Sequence, residues 1–325
     1  MRAVVLHEFG PAENLRTETL PDPVPGPGQV RIAVRAAGVH FVETVMRRGE
    51  GSAMAPPLPE LPAVLGGEVA GTVESVGPEV GAEWLGRSVV VSRSTPGGYA
   101  ELTVADAGNL HVIPDGLGFE AAVTMVMTGA TTMGLLGEAR LRPDDVVLVT
   151  SAAGGVGRLV VQYARSLGAT VIGAAGGPAK ADAVRELGAD IAVDYDVPGW
   201  EREVAARLGG RRVTAVLDGV SGERGAAAFE LLADGGRYVV IGWSSQRAFE
   251  PEPALLTERR ITFTNALHRL LAAPENGPAR EREALAAAAE GRWAPAVQAF
   301  PLSRAAQAHA ALERRETTGK VVLVP

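Results

Sequence analysis

Hydrophobic residues change their spacing along the chain, and the changes divide it into three stretches. In the first stretch, short runs rich in β-branched residues alternate with turns that contain proline and glycine. Such runs lie at residues 30–34, 69–73 and 88–91. Short strands joined by tight turns pair most easily in antiparallel order. The pattern therefore predicts a compact, mostly antiparallel β-domain over residues 1–120.

From about residue 140, short apolar runs alternate with helical patterns. The runs lie at residues 146–149, 170–173, 191–194, 214–217 and 238–241. Between the first two, Val160, Tyr163, Ala164 and Leu167 recur at helical spacing. Strands that are apolar on both faces belong to parallel sheets covered by helices on both sides. The second stretch is therefore predicted to be α/β, with the doubly wound parallel sheet of a Rossmann domain, over residues 121–267.

The third stretch predicts two more helices, over residues 281–290 and 303–315, and a final strand at 320–324. A lone terminal strand must pair with another strand, and the N-terminal β-domain is the obvious partner. Residues 268–325 are therefore expected to complete the domain of residues 1–120. The Rossmann domain is then an insertion between the two parts.

Composition excludes several classes of function. The net charge is −7, from 31 Lys and Arg against 38 Asp and Glu, so no broad basic face is expected for nucleic acid or an anionic membrane. The chain has no cysteine, which excludes disulfides, thiol nucleophiles and thiolate-bound zinc. Threonines and glycines interrupt the uncharged residues 121–137, which predicts a buried helix and no membrane span. The N-terminus lacks the apolar core of a signal peptide, and a cytoplasmic protein is expected.

A glycine-rich turn follows the first apolar run of the Rossmann stretch. Ala152, Gly154 and Gly157 fill the three small-residue positions of a G-x-G-x-x-G fingerprint, between a predicted strand and a predicted helix. Small residues there allow a tight turn, close approach of a pyrophosphate and packing of the helix on the strand. The backbone N–H groups around Gly155 and Val156 would then bind the phosphates. The turn predicts a dinucleotide site.

The next strand indicates which dinucleotide binds. An NAD site usually supplies an Asp or Glu to the ribose about 20 residues after the fingerprint. Here the chain runs from Gly173, which is expected to contact the cofactor, to Lys180 without a carboxylate. An absent anion and a nearby lysine favour the 2′-phosphate of NADP over NAD. The alternative is that Lys180 is an ordinary solvated residue in the first turn of a helix.

These motifs and four others together resemble the zinc-independent medium-chain dehydrogenase/reductases, in their quinone oxidoreductase branch. The resembling segments are residues 35–43, 66–73, 97–101, 152–157 and 318–323, in family order from end to end. The resemblance implies a GroES-like, mostly antiparallel catalytic β-domain, built from both chain ends around an inserted Rossmann domain. It also implies NADPH as the cofactor and a homodimer.

The resemblance assigns further cofactor contacts. Lys180 matches a 2′-phosphate lysine, with Tyr195 beside that phosphate and Arg315 closing over it. The residues implied at the nicotinamide side are Thr131, Ile241, Gly242 and Ser244. Simpler roles stay open for three of these residues: Tyr195 as a packed loop aromatic, Arg315 as a solvated helix end and Thr131 as a core hydroxyl.

The resemblance also places His40 in the catalytic cleft. Zinc-dependent relatives have a cysteine ligand where this chain has His40, and a histidine ligand where it has Gly67. No metal is therefore expected. The quinone reductase branch usually has asparagine at the His40 position. His40 either protonates the product oxygen or only positions the cofactor. Glu68 is interpreted as a structural carboxylate and Tyr99 as a packing residue.

The sequence thus predicts an NADPH-dependent oxidoreductase that transfers hydride, without a metal, to a quinone or similar conjugated carbonyl acceptor. One alternative is an enoyl or alkenal C=C reductase of the same superfamily. Another is a non-enzymatic NADPH-binding sensor or structural protein. The physiological acceptor depends on loops at residues 45–65 and 245–275, whose shape the sequence does not give. His7, His111, His268 and His309 show no ligand spacing and are expected to be surface or capped residues.

Overall fold

The computed structural model describes residues 1–51, 57–92, 97–272 and 276–325. These residues form two compact units. The terminal unit comprises Met1–Ala130 and Gly277–Pro325, and the inserted unit comprises Thr131–Asn276. The sequence-based domain boundaries, at 120/121 and 267/268, lie earlier in the chain than the boundaries of these units and stay a prediction. Residues 52–56 and 273–275 of the two loops that bear on the acceptor lie outside the described residues.

The strands and helices follow in chain order. The strands are β1 (Arg2–Leu6), β2 (Leu15–Thr19), β3 (Gln29–Val39), β4 (Ala63–Val64), β5 (Glu68–Val76), β6 (Ser88–Ser92), β7 (Leu102–Asp106), β8 (His111–Val112), β9 (Val146–Thr150), β10 (Thr170–Ala175), β11 (Ile191–Asp194), β12 (Val213–Asp218), β13 (Leu232–Val240), β14 (Thr262–Asn265), β15 (Val297–Pro301) and β16 (Lys320–Val324). The α-helices are α1 (Phe41–Arg47), α2 (Phe119–Thr124), α3 (Ala130–Ala139), α4 (Gly155–Ser166), α5 (Pro178–Glu186), α6 (Trp200–Leu208), α7 (Gly222–Glu230), α8 (Pro253–Glu258), α9 (Ala266–Ala272), α10 (Gly277–Ala289) and α11 (Ala305–Glu313).

The terminal unit contains a small sheet in the order β2-β1-β4 and a larger one in the order β15-β16-β3-β5-β6-β8, with β7 also paired to β3. Strand pairs are antiparallel except β15 with β16. β16 pairs with β3 through Val321 opposite Val39, which confirms that the last strand completes the N-terminal β-domain. This is the predicted GroES-like architecture.

The middle strand of the larger sheet changes its burial along its length. From Val30 to Val34 in β3, buried residues alternate with partly exposed ones, as in a strand with one face in the core. From Ala36 to Val39 every residue is buried, where β5 and β16 flank β3. β3 therefore leads directly from the core to His40, the residue that precedes α1.

The inserted unit has one parallel six-stranded sheet in the order β11-β10-β9-β12-β13-β14. All five residues of β9 are buried, as expected for the central strand of a sheet covered on both faces. The chain moves outward from β9 in one direction to β11 and then returns to β12 on the other side. Ligands in such folds bind at the carboxyl ends of the strands, where the strand order reverses. The predicted Rossmann fold is confirmed.

A continuous helical stretch, Phe119–Ala139, includes α2, five residues of π-helix at Met125–Gly129, and α3. Within the part of the chain that the structure describes, it is the one helix long and apolar enough to cross a bilayer. Buried residues make up 61% of its most apolar 18-residue window. A core helix of a folded protein has the same properties, so the stretch is weak evidence for a membrane span.

Candidate functional site

The carboxyl edge of the inserted sheet brings most of the sequence-predicted cofactor residues together. The turn of residues 152–157 follows β9, and Lys180 lies in the first turn of α5 after β10. Tyr195 follows β11, and Ile241, Gly242 and Ser244 follow β13. Because all six strands are parallel, these loops leave the sheet at the same edge. β9 and β12 are neighbours at the point where the strand order reverses.

The glycine turn has the geometry that a phosphate cradle needs. A Cβ atom at Gly157 would lie 2.2 Å from the carbonyl oxygen of Ser151, so only glycine fits. The N–H of Arg158 donates to the carbonyl of Gly154, at 3.0 Å, and this is the first bond of α4. The N–H groups of Gly155, Val156 and Gly157 therefore precede the hydrogen-bonded helix and have no acceptor within it. Unpaired N–H groups at the start of a helix fit a pyrophosphate.

Gly173 has a packing role that the structure makes explicit. It lies within β10, and a Cβ atom there would meet Cγ1 of Val184 at 2.3 Å and Cβ of Ala152 at 3.2 Å. Val184 is a buried residue of α5. The missing side chain thus lets α5 pack against the strand beside the glycine turn. Contact with a cofactor stays a prediction for Gly173.

A carboxylate that the sequence analysis did not consider lies near the end of β10. A Cβ atom at Gly176 would lie 2.8 Å from Oδ2 of Asp196 and 3.1 Å from Cε2 of Tyr195. Asp196 forms an ion pair with Arg224, whose guanidinium carbon lies 4.8 Å from the centre of the Tyr195 ring. Arg224 thus neutralises Asp196 at the edge where Lys180 lies half-buried. The pattern Asp194-Tyr195-Asp196 after a predicted strand could have indicated acidic groups here.

A buried carboxylate joins the three strands next to the reversal of strand order. Asp218 ends β12 and is fully buried. It accepts hydrogen bonds from the hydroxyls of Thr150 in β9 and Tyr238 in β13, both at 2.6 Å, and from the N–H of Ser221 at 3.0 Å. Burial and the neighbouring Asp218 raise the pKa of the Tyr238 hydroxyl. The network fixes the loop that follows β12.

The same loop holds the segment after β13. The N–H groups of Ile241 and Gly242 donate to the carbonyl of Asp218, at 2.8 and 3.1 Å. The N–H of Ser244 donates to the carbonyl of Gly219 at 3.2 Å. The three residues predicted to lie beside the nicotinamide are therefore held in place by backbone hydrogen bonds to the loop after β12.

In the terminal unit, His40 lies against two charged residues from the neighbouring strands. Glu68 begins β5, and Oε1 of Glu68 lies 2.9 Å from Nε2 of His40. Lys320 begins β16, and its Nζ lies 2.5 Å from the same Glu68 oxygen. Glu68 and Lys320 are buried, whereas 20% of the His40 side chain is exposed. Burial alone would raise the pKa of the Glu68 carboxyl, but His40 and Lys320 hold it below its usual value.

A second carboxylate holds the backbone around His40. Oε1 of Glu43 accepts the N–H groups of Gly66 and Gly67, both at 3.0 Å. Oε2 accepts the N–H of His40 and the hydroxyl of Tyr99, both at 2.8 Å. Glu43 is buried and lies in the first turn of α1. It therefore ties the start of this helix to the loop before β5, a role the sequence analysis did not assign.

The network continues inward to a buried histidine. Nε2 of His309 lies 3.1 Å from the Tyr99 hydroxyl, which itself donates to Glu43. Burial, with a further contribution from Glu43, raises the pKa of Tyr99. Burial, helped by the positive charge of Arg47, lowers the pKa of His309 to about 3. His309 is fully buried, so the expectation that it is a surface or capped residue is wrong.

Comparisons with known proteins place both units in one family. A family model described as "Alcohol dehydrogenase GroES-like domain" matches residues 26–115, and one described as "Zinc-binding dehydrogenase" matches residues 155–275. Quinone oxidoreductase from Pseudomonas aeruginosa is 33% identical over 98% of this chain and 97% of its own length. The chain belongs to the medium-chain dehydrogenase/reductases, in their quinone oxidoreductase branch.

Two further members of this superfamily bear on function. A 2-haloacrylate reductase from a Burkholderia species is 30% identical over 99% of this chain and 98% of its own length. The crystal structure of Escherichia coli quinone oxidoreductase complexed with NADPH has a TM-score of 0.86 and 28% identity, and the match covers 100% of both chains. One relative thus reduces a haloacrylate and another was solved with NADPH.

The resemblance implies that the zinc ligands of zinc-dependent relatives stand at the positions of His40 and Gly67 in this chain. The described residues contain no group of three or more His, Cys, Asp or Glu that could hold a metal ion.

Two predicted cofactor residues lie apart in the chain from the loops of the inserted sheet: Thr131 is half-buried in α3, and Arg315 is exposed after α11. Arg315 and His40 both belong to the terminal unit.

Proposed function

We propose that this chain is an NADPH-dependent oxidoreductase that transfers hydride, without a metal, to a quinone or similar conjugated carbonyl acceptor. The observation that carries the proposal is the carboxyl edge of the inserted sheet, where a glycine turn presents the first three N–H groups of α4. The quinone oxidoreductases that resemble the chain over its full length support the reaction class.

Residues at the carboxyl edge of the inserted sheet bind different parts of NADPH. Gly155, Val156 and Gly157 offer N–H groups to the pyrophosphate, while Ala152 and Gly154 keep the turn close to it. Lys180 and Tyr195 bind the 2′-phosphate end, and the segment at Ile241, Gly242 and Ser244 supports the nicotinamide with Thr131. NADPH supplies the hydride from its nicotinamide ring when it is bound. The chain orients the two reactants and keeps water away.

His40 supplies the proton that the reduced acceptor needs. Hydride brings two electrons and one hydrogen to the acceptor, and an acceptor oxygen then carries negative charge. A ring N–H of His40 breaks, an O–H bond forms on that oxygen, and the imidazole recovers a proton from solvent. Its partly exposed side chain, between two buried charges, supports this role. The alternative is that His40 only binds the ribose or carboxamide of the cofactor.

The lack of the zinc-ligating residues favours electron-poor acceptors. Alcohol–ketone exchange in zinc enzymes depends on a metal that stabilises an alkoxide. Neither the cysteine ligand nor the histidine ligand of those zinc enzymes is present here, because the chain has no cysteine and residue 67 is glycine. A quinone or a conjugated enone accepts hydride without such a metal.

A second candidate is reduction of a C=C bond conjugated to a carbonyl or carboxyl group. The similarity to the 2-haloacrylate reductase favours it. Stopped-flow loss of NADPH absorbance with one panel of quinones and one of enones separates the two. Faster turnover with the quinones supports the main proposal, and turnover with enones alone supports the second. Tight NADPH binding without turnover of either panel would instead indicate a non-enzymatic sensor or structural protein.

We also propose that the protein is a cytoplasmic homodimer. In the quinone oxidoreductase branch, edge strands of the nucleotide domains pair across the dimer. β14 is an edge strand of the inserted sheet, and its four residues are exposed or half-buried. The acidic, cysteine-free composition fits the cytoplasm. Light scattering of the purified protein tests the dimer.

A further inference from the structure

Ser221 adopts a backbone conformation that residues with a side chain rarely take. It is the residue before α7, with φ 65° and ψ −164°. This region is essentially confined to glycine, and other residues remain in it only where their surroundings hold them there. Ser221 is also buried, with 3% of its surface exposed. Because glycine would avoid the strain, the serine side chain is expected to have a role of its own.

The buried carboxylate of Asp218 holds the backbone of Ser221. The N–H of Ser221 lies 3.0 Å from Oδ1 and 3.1 Å from Oδ2 of Asp218 and donates to this carboxylate. The hydroxyls of Thr150 and Tyr238 donate to the same two oxygens. A Cβ atom at Gly225 would lie 2.7 Å from Oδ2, so the first turn of α7 also packs closely against the carboxylate. The strained backbone is therefore fixed from several sides.

The side chain of Ser221 binds the backbone of Phe249. The N–H of Phe249 donates to Oγ of Ser221 at 2.8 Å. The Phe249 ring packs against the buried rings of Phe229 in α7 and Tyr238 in β13, with 5.5 Å between ring centres in both pairs. Ring packing holds the side chain of Phe249, and the serine hydroxyl holds its backbone.

Phe249 is the far end of a segment that begins with residues predicted to lie beside the nicotinamide. This segment, residues 241–249, follows β13 and is called the nicotinamide segment below. Backbone hydrogen bonds to the loop after β12 hold its near end, and the last of them runs from the N–H of Ser245 to the carbonyl of Val220, at 3.0 Å. The hydroxyl of Ser221 then ties the far end to the same loop.

We propose that Ser221 is a positioning residue for the nicotinamide end of NADPH, and that it acts through the nicotinamide segment. Its hydroxyl orders the segment before the cofactor arrives, so binding does not have to bear the entropy cost of ordering it. The inference deepens the proposed function and rests on it, because Ile241, Gly242 and Ser244 there support the nicotinamide. Loss of the hydroxyl should therefore affect the nicotinamide half of the cofactor and not the adenosine half.

Two substitutions at Ser221 separate this role from a merely structural one. Ser221→Ala and Ser221→Gly both remove the hydroxyl, but only glycine relieves the strain. Ser221→Gly is therefore expected to unfold at a higher urea concentration than Ser221→Ala. Both variants are expected to bind NADPH about three- to tenfold more weakly than the wild type, the loss that one hydrogen bond accounts for. Isothermal titration calorimetry measures the affinity.

Nucleotide fragments show which half of the cofactor is affected. NADH carries the same nicotinamide as NADPH, so its affinity is expected to fall by the same factor in both variants. Adenosine 2′,5′-bisphosphate has no nicotinamide, and its affinity is expected to stay at the wild-type value. In the protein without cofactor, amide hydrogen exchange in residues 243–249 is expected to be faster in both variants.

Arg140→Gly is the matched control. Arg140 is an exposed residue of the same unit, after α3, and its φ is 47°. Glycine there removes another positive φ from a residue with a side chain, without touching the nicotinamide segment. Nucleotide affinity and amide exchange in residues 243–249 are expected to stay at their wild-type values in this variant.

The outcomes distinguish this inference from the proposed function. If Ser221→Gly binds NADPH like the wild type and only Ser221→Ala binds it weakly, affinity follows stability and the proposal is overturned. Equal losses for NADPH and adenosine 2′,5′-bisphosphate also overturn it. If the wild type itself does not bind NADPH, the proposed function is wrong and the inference falls with it. If the wild type binds NADPH and both Ser221 variants bind it equally well, the inference alone is wrong.

Discussion

The side chain of Glu68 fills the space that a side chain at Gly38 would need. A Cβ atom at Gly38 would lie 1.9 Å from Oε1 and 2.7 Å from Cγ of Glu68. Both residues are buried between paired strands. Glycine is unfavourable inside a strand, but residue 38 must be glycine because the Glu68 carboxylate, which faces His40, occupies the space beside it.

Replacing Gly38 with alanine is expected to displace Glu68 and to destabilise the terminal unit by about 1–3 kcal/mol, because the site is fully packed. Urea denaturation followed by circular dichroism measures the change. Gly108→Ala is the matched control, since a Cβ atom at Gly108 has no neighbour within 4 Å. An unchanged denaturation midpoint in Gly38→Ala would show that Glu68 can move without cost.

His309 is expected to make the folded state less stable as the pH falls. Its folded-state pKa is about 3, below the ordinary value of 6.5, so the unfolded chain binds the proton more readily. Stability is fully present above about pH 6.5 and is lost as the pH falls towards about 3, by up to about 1.4 kcal/mol per pH unit from this group.

Urea midpoints measured from pH 8 downwards test this, with His309→Gln as the variant that keeps a donor for Tyr99. The variant is expected to lose the part of the pH dependence that begins near pH 6.5. Exposed His7→Gln is the control and keeps the wild-type slope. Identical slopes in His309→Gln and the wild type would contradict the assignment.

Lys180→Ala is expected to weaken the binding of NADPH by about tenfold or more, with a much smaller effect on NADH. The reason is that only NADPH carries the 2′-phosphate that a lysine in the first turn of α5 can bind. Isothermal titration calorimetry with both nucleotides measures the two losses. Arg211→Ala makes the same charge change at the start of β12, at the opposite edge of the sheet, and should affect neither. Equal losses of NADPH and NADH would mean that the phosphate pocket lies elsewhere.

Arg224 is expected to matter for NADPH because it neutralises Asp196. In Arg224→Ala the unpaired carboxylate beside Gly176 would repel a 2′-phosphate, so NADPH binding weakens more than NADH binding. Adding Asp196→Asn removes the repelling charge and should restore much of the affinity. The same calorimetric series measures this double-mutant cycle. If adding Asp196→Asn does not restore the affinity for NADPH, Arg224 does not act by neutralising Asp196.

The sequence predicted the two folds because their local patterns are strong. The apolar runs and the glycine turn identified the parallel sheet and its functional edge, and the last strand was correctly paired with the N-terminal β-domain. The family fingerprint also gave the right branch. These features depend on residues that are near one another in the chain.

Contacts between distant parts of the chain could not be predicted from local sequence patterns. Lys320 and His40 are 280 residues apart, and only the register of β16 on β3 brings them together. The absence of a carboxylate after β10 correctly described the local sequence, but Asp196 reaches the same place from the loop after β11. His309 was misplaced because its alanine-rich surroundings give no sign of the buried Tyr99 that it contacts.

Single-turnover oxidation of NADPH by a quinone, in protein dialysed against a strong metal chelator, shows whether the chain transfers hydride without a metal. We expect stoichiometric loss of NADPH absorbance at the same rate before and after chelation, because the chain's own residues bind the nucleotide and supply the proton. No loss with any quinone, or a loss that chelation abolishes and added zinc restores, would contradict it.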